Sequence, residues 1–120
     1  MPELVRLVTF RALPGREEEL LQLVSQRAIE LNERFGARRV WLLQGQGDLA
    51  ILSVWARPED LDAMRADPEY TEFLDGIKAR SERLTDSRYH LIASGGAAAE
   101  PAPQGAPGGE TSRRTSRRTG

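Results

Sequence analysis

Six side chains in this sequence have the chemistry to line a small-molecule site or to take part in a reaction there. Indole and phenyl rings form apolar walls, a phenol or an imidazole transfers protons, and a guanidinium holds an anion. A histidine cluster for a metal is excluded within one chain, because there is one histidine and no cysteine. We therefore expect no metal site built from histidine or cysteine side chains. The six candidates are Arg6, Trp41, Trp55, Tyr70, Phe73 and His90.

Each aromatic candidate also has an ordinary structural interpretation. Trp55 ends an apolar run, so its indole is either a pocket wall or part of the core. Trp41 either packs in the core or in an interface between subunits, or it contacts a ligand. Tyr70 and Phe73 have the spacing of a buried helix face, although Tyr70 is also placed to donate its hydroxyl into a cleft. His90 is either a packed or surface histidine or an acid–base group.

Arg6 is unusual because it lies in an otherwise apolar strand, LVRLVTF. A buried guanidinium requires a partner of opposite charge. That partner is either an anionic group of a substrate or a carboxylate at the edge of the sheet, and both interpretations stay open here. The acidic runs near Glu17 and Glu59 lie at predicted helix starts, where they interact with the helix dipole.

The periodicity of apolar residues predicts the order strand, helix, strand, strand, helix, strand. This order is typical of an α+β, ferredoxin-like βαββαβ fold with a four-stranded antiparallel sheet. The second helical region is broken at Asp67-Pro68, with Asp67 as an N-cap and an apolar face extending as far as Leu84. The predicted elements are strands at Glu3–Arg11, Arg38–Gln44, Leu49–Ala56 and Ser87–Ala93, a helix at Arg16–Phe35 and two helical segments starting at Pro58 and Pro68.

The predicted sheet is apolar on both faces. In the third strand Leu49, Ile51 and Trp55 alternate with Leu52 and Val54, and the first strand behaves in the same way. One face is covered by the helices, and the chain has no further layer for the other. A second copy of the same sheet is the simplest cover, so we predict a homodimer.

Composition bounds the remaining possibilities. A chain of 120 residues with a net charge of −1 has room for one domain and no overall attraction for nucleic acid. No run of about 18 apolar residues is present and the N-terminus lacks a signal-peptide pattern, so a cytoplasmic protein without a membrane span is expected. We predict a domain over residues 1–93 and a disordered tail over 94–120. The Arg-Arg-Thr-Ser repeat of the tail is a phosphorylation target, a docking peptide for an acidic partner or simply a solvated segment.

Two stretches, FRALPGREEELLQL and LSVWARPEDLDAMRADPEYTEF, together with the VWLLQ strand, resemble the antibiotic biosynthesis monooxygenase-like domains. The resemblance covers residues 3 to 93. It implies a dimer whose two sheets pack as an α/β barrel. It also implies oxidation of a quinol, a polyketide-type aromatic or haem by molecular oxygen. Most members use no bound metal or flavin, so the resemblance implies that this chain has no cofactor.

The sequence departs from the family at several positions. Polyketide-oxidising members carry an asparagine on the third strand and a tyrosine on the following helix, where this chain has Ile51 and Leu61. The haem-degrading branch requires an asparagine on the first strand, which is missing, and a tryptophan and a histidine where Met64 and Leu74 stand. Haem degradation is therefore not expected.

Two functions follow from these observations. The first is a small cofactor-independent monooxygenase acting on a quinol or polyketide-type aromatic, with Tyr70 and His90 as catalytic groups and Trp55, Arg6, Phe73 and Trp41 as substrate contacts. The second is a non-catalytic dimeric module that binds an apolar ligand or supports a partner through its basic tail. Oxygen consumption with quinols distinguishes the two.

Overall fold

A computed structural model describes residues 2–96. Its four strands and three helices follow the predicted order, and the break at Asp67-Pro68 divides the second helical region into two helices. The elements are β1 (Leu4–Ala12), α1 (Glu17–Arg34), β2 (Arg39–Gln44), β3 (Leu49–Trp55), α2 (Pro58–Ala66), α3 (Pro68–Ala79) and β4 (Ser81–His90). The predicted tail falls almost wholly on residues outside the described range.

The four strands form one antiparallel sheet in the order β2-β3-β1-β4. β1 and β3 are the central strands, and the βαβ crossovers place the helices against one face of the sheet. The predicted ferredoxin-like fold is therefore confirmed. We call the helix-covered side the inner face and the opposite side the outer face.

The predicted end of the second helical region was wrong. α3 ends at Ala79, and the hydroxyl of Ser81 then donates to the carbonyl of Ile77 at 2.7 Å. β4 starts at Ser81 instead of Ser87, and Leu84 is a strand residue paired with Phe10. The error has a simple cause, because Leu84 lies seven residues after Ile77 and fits a helix face as well as a strand.

The core lies between the inner face of the sheet and the helices. Side chains of β3 alternate between buried inner residues and half-exposed outer ones, as a strand with two different faces requires. The helices contribute an apolar stripe each, and Leu20, Val24, Ala28 and Leu31 of α1 are completely buried.

The outer face is apolar and incompletely covered, which confirms the prediction of a two-faced sheet. Trp41, Leu43 and Tyr89 are 38%, 44% and 55% exposed. Leu52 is paired with Leu7 on one side and with Trp41 on the other, at the centre of this surface. The dimer that would cover it stays a prediction.

Asp67 caps α3, as its sequence position indicates. Its carboxylate accepts hydrogen bonds from the backbone N–H groups of Glu69 at 2.9 Å and Tyr70 at 3.3 Å. We expect Asp67→Ala to lower the free energy of unfolding by about 1 kcal/mol, because two backbone donors lose their acceptor. Urea denaturation measures this change. Asp75→Ala, at an exposed position inside the same helix, is the matched control and should be close to neutral.

Candidate functional site

Four of the six predicted site residues come together on the inner face. We call Arg6, Ser53, Trp55, Tyr70 and Phe73 the inner cluster. Its four large side chains are between 0% and 4% exposed, and Ser53 is 1% exposed. The cluster therefore lies inside the sheet–helix interface, where water is excluded.

The contacts within the inner cluster form a continuous path. The indole N–H of Trp55 donates to the hydroxyl of Ser53 at 2.9 Å, and Ser53 is the register partner of Arg6 on the neighbouring strand. The guanidinium carbon of Arg6 lies 5.5 Å from the centre of the Tyr70 ring, a cation–π distance. The rings of Tyr70 and Phe73 are tilted by 52° at a centroid distance of 6.0 Å. An aromatic surface and one cation thus share a dry environment.

Arg6 is paired with Asp86 of β4. The guanidinium Nε donates to Oδ1 at 2.9 Å and Nη2 donates to Oδ2 at 2.7 Å, a bidentate arrangement. Burial disfavours the charged guanidinium, but the hydrogen bond to Asp86 and the nearby negative charge outweigh it and raise the pKa of Arg6. Of the two partners left open by the sequence, the structure shows the carboxylate.

Asp86 is surrounded by positive charge. Burial favours its neutral form, but the hydrogen bond from Arg6 and the charges of Arg6, Arg65 and Arg88 prevail and lower the pKa of Asp86. Arg65 of α2 lies 3.8 Å from its Oδ2. Arg88 pairs at 3.0 Å with Asp62, also on α2. These ion pairs connect α2 to the edge strand β4 through solvent-accessible side chains.

His90 and Trp41 lie apart from the inner cluster. His90 is an exposed residue at the end of β4, and its register partner Leu4 is in turn paired with Trp55. It is therefore at the same end of the sheet as Trp55, at the protein surface. Trp41 lies on the outer face, with the guanidinium of Arg39 5.9 Å from the ring centre. The sequence grouped these two with the other four, and the structure does not.

Two polar residues near the cluster were missed by sequence reasoning. Asp86 fell just before the predicted strand, so its side chain was not assigned to a face. Asn32 was overlooked on the apolar stripe of α1, four residues after Ala28. It is 2% exposed, and its Oδ1 has no hydrogen-bond partner. The sequence did contain a signal for Asn32, because it is a polar residue at a helix position whose spacing is that of the buried residues.

The positions where family members place polar groups are apolar here. Ile51 is 6% exposed and Leu61 is completely buried, so both contribute to the core. The buried polar residues are instead Arg6 and Ser53 on the inner face and Asn32 on α1. The site has a different set of hydrogen-bonding groups from the family pattern.

Three cavities lie away from the inner cluster. One, of about 560 Å³, opens on the outer face. A second, of about 140 Å³, lies between the start of α1 and the β2–β3 turn, and a third, of about 90 Å³, lies beside Arg11 and Arg83. Within residues 2–96 no group of three histidine, aspartate or glutamate side chains is placed to hold a metal ion. No helix of this part of the chain is long and apolar enough to cross a membrane.

Comparison with known proteins finds similar folds among solved structures. No family model matches the sequence. No curated protein matches it either. Solved structures do match, and 117 chains do so significantly.

Three solved structures illustrate the likeness. Rv0793 from Mycobacterium tuberculosis superposes with a TM-score of 0.70 at 15% identity, covering 78% of this chain and 99% of its own. SnoaB, a cofactor-independent oxygenase from Streptomyces nogalater, gives 0.68 at 15% identity and covers 78% and 97%. A Deinococcus radiodurans protein provisionally assigned as an antibiotic biosynthesis monooxygenase gives 0.70 at 17% identity, with 78% and 97% covered. The chain therefore has an antibiotic biosynthesis monooxygenase-like domain fold, as its sequence motifs indicated.

Proposed function

We propose that this protein is a cofactor-independent monooxygenase that oxidises a quinol or polyketide-type aromatic with molecular oxygen. The observation that carries the proposal is the inner cluster, in which aromatic walls and one guanidinium meet in a water-free interface. The shared fold with an enzyme described as a cofactor-independent oxygenase supports it. The substrate class is our inference, because a likeness at 15% identity extends to the fold alone.

The cluster offers the groups that this chemistry requires. A phenolic substrate must lose a proton before its ring gives an electron to oxygen, and the resulting anion needs stabilisation. Arg6 supplies a positive charge that Asp86 only partly neutralises, since Arg65 and Arg88 are also nearby. The hydroxyl of Tyr70 is the proton-transfer group on the same side. Trp55 and Phe73 exclude water and stack against the ring.

Access to the cluster requires movement of α2. Leu61 and Met64 of this short helix are completely buried over the inner face. Its ties to β4 are ion pairs between solvent-accessible groups, Asp62 with Arg88 and Arg65 with Asp86, and such pairs are individually weak. Displacement of α2 would expose the apolar side of the cluster, and most of its free-energy cost comes from Leu61 and Met64, about 1.5–3 kcal/mol for each side chain that leaves the core.

A non-catalytic binding module is the second candidate. Ile51 and Leu61 occupy the positions of the family's asparagine and tyrosine, and the inner cluster is closed to solvent. Both observations favour a protein that retains the fold and has lost the reaction. Such a protein would not accelerate oxygen uptake.

Oxygen consumption with a reduced quinone separates the two candidates. With menadiol as substrate, we expect the wild type to accelerate oxygen uptake above the uncatalysed rate. Tyr70→Phe keeps the packed ring and removes the hydroxyl, so the rate should fall about a hundredfold, as expected for loss of an acid–base group. Tyr89→Phe, at the exposed tyrosine of the outer face, is the matched control and should retain activity.

The outcome also decides the role of His90. If the wild type shows only background uptake, the oxygenase proposal is wrong and the binding module replaces it. If the wild type is active, His90→Gln reports on proton transfer at the surface end of the sheet. A retained rate would remove His90 from the catalytic groups.

The active form in this proposal is a homodimer assembled through the outer face. Support comes from the exposed aromatic and aliphatic residues there, which together with Leu52 and Leu7 extend across all four strands of the sheet. A contact of Trp41 with substrate is not part of this proposal, because the residue lies on the opposite side of the sheet from the inner cluster. The cytoplasmic location and a partner for the tail stay predictions from the sequence.

A further inference from the structure

The side chain of Asn32 presents a hydrogen-bond acceptor that has no donor. Its Nδ2 donates to the carbonyl of Ala28 at 2.8 Å, while its Oδ1 is buried and unpaired. An exchange of the two amide atoms would bring Oδ1 against the Ala28 carbonyl, two acceptors in contact. The free atom is therefore the oxygen.

An unpaired buried acceptor is unfavourable for folding. It costs about 1–3 kcal/mol, and a leucine of similar shape would avoid this cost. The Leu20, Val24, Ala28 and Leu31 positions of the same stripe are all apolar. Asn32 thus weakens the core relative to an apolar residue, and its buried acceptor is left available to a donor from a ligand.

Asn32 lies at the Tyr70 end of the helix pair. Arg34, two residues further along α1, donates to Glu69 at 2.7 Å. Glu69 immediately precedes Tyr70 and also accepts from Arg27. The last two turns of α1 are therefore held against the first turn of α3, which contains the tyrosine of the inner cluster.

The same residue also lies at the Trp55 end of the sheet. The backbone carbonyl of Asn32 accepts from Ala37 at 3.0 Å, and the next backbone N–H, that of Arg38, donates to Val54 at 2.7 Å. Val54 directly precedes Trp55. The segment that follows α1 is thereby attached to the end of β3, next to Trp55 in the chain.

We infer that Asn32 positions the substrate by accepting a hydrogen bond from an aromatic hydroxyl at Oδ1. This inference rests on the proposed function, because it specifies the substrate class of the same site. The ligand is a fused aromatic that carries a free hydroxyl. An ether or a quinone of the same shape presents only acceptor oxygens, which Oδ1 repels. The site therefore discriminates an aromatic with a free hydroxyl from one whose oxygen is a ketone or an ether.

A pair of stable probes tests the inference without any turnover. 1-Naphthol carries a hydroxyl donor, and 1-methoxynaphthalene replaces it by an ether. Their dissociation constants for the full chain are measured by calorimetry in the wild type and in Asn32→Leu. Because the two probes also differ in hydrophobicity, the ratio of their dissociation constants in Asn32→Leu serves as the reference for the ratio in the wild type. We expect the preference for 1-naphthol to be about tenfold larger in the wild type, the contribution of one well-placed hydrogen bond.

A second readout separates binding from a structural role. Asn32→Leu should unfold at a higher urea concentration than the wild type, because the unpaired acceptor is removed. A destabilised variant with an unchanged probe ratio would identify Asn32 as structural and overturn the inference. Failure of the wild type to bind either probe would overturn it too.

A third measurement does not depend on the variant. In NMR spectra of the wild type, the side-chain amide signals of Asn32 should shift with 1-naphthol and not with 1-methoxynaphthalene. Equal shifts, or none, would contradict the inference.

Oxygen uptake with menadiol is recorded separately. If the protein binds 1-naphthol selectively but does not accelerate oxygen uptake, the inference about Asn32 stands and the oxygenase proposal is wrong. If it accelerates oxygen uptake but Asn32→Leu leaves the ratio of the two dissociation constants unchanged, the oxygenase proposal stands and the inference is wrong.

Discussion

Asp86→Ala is expected to lower the free energy of unfolding by about 3 kcal/mol. The substitution leaves the guanidinium of Arg6, 2% exposed, without its bidentate carboxylate. Removing one partner of a buried ion pair costs about 3–5 kcal/mol, and the lower end applies because the Asp86 side chain is 24% exposed. The Tyr70 ring 5.5 Å away compensates for only part of the lost attraction. Urea denaturation followed by tryptophan fluorescence measures the loss.

The double variant Arg6→Met/Asp86→Leu is the control. It removes both charges and fills the space with apolar atoms, so it should return to within about 1 kcal/mol of the wild type. Glu82→Ala, at an exposed position of the same strand, should be close to neutral. If the double variant is as unstable as Asp86→Ala, the loss reflects packing of β4 and not an uncompensated charge.

The pH dependence of stability should identify the same pair. The lowered pKa of Asp86 means that the unfolded chain takes up a proton at a higher pH than the folded chain does. The stability from this carboxylate is present above the ordinary aspartate pKa of about 4 and is lost as the pH falls through the lower folded value. The difference between wild type and Asp86→Ala should therefore shrink in acid. The raised pKa of Arg6 contributes nothing here, because the residue stays charged throughout.

Local patterns were enough to predict the fold. The alternation in β3 identifies two apolar faces, and the Asp67-Pro68 pair marks a helix boundary whose cap the structure contains. These signals depend on neighbours within a few residues, where backbone geometry decides which side chains share a face. From these local signals we predicted both the sheet and its half-exposed outer face.

The partners of the site residues depend on contacts that sequence spacing does not reveal. Arg6 and Asp86 are separated by 80 positions, so the sequence left a carboxylate and a substrate anion as alternatives. β4 extends over a polar segment, SERLTDSRYH, with little intrinsic preference for a strand. It forms because the exposed edge of β1 offers it backbone hydrogen bonds, an effect of tertiary context. Assignment of Asp86 to the inner face required that pairing.

Leu52→Lys is expected to convert a dimer into a monomer. Leu52 lies at the centre of the outer face, beside Leu7 and Trp41. In a twofold interface each substitution occurs twice, so two lysine charges would be buried without partners. At about 2 kcal/mol or more for each buried ammonium, the dissociation constant should rise at least about a thousandfold. Light scattering and sedimentation at micromolar concentration measure the change.

The matched control is Gln22→Lys, which adds the same charge at an exposed position of α1, on the far side of the molecule from the outer face. This variant should remain a dimer, so a general effect of charge is separated from a local one. A monomeric wild type would contradict the prediction at once. The half-exposed Trp41, Leu43 and Tyr89 would then need another cover. In that case the cavity of about 560 Å³ beside Trp41 would be open to solvent in the active protein, and ligand binding at the outer face would have to be measured directly.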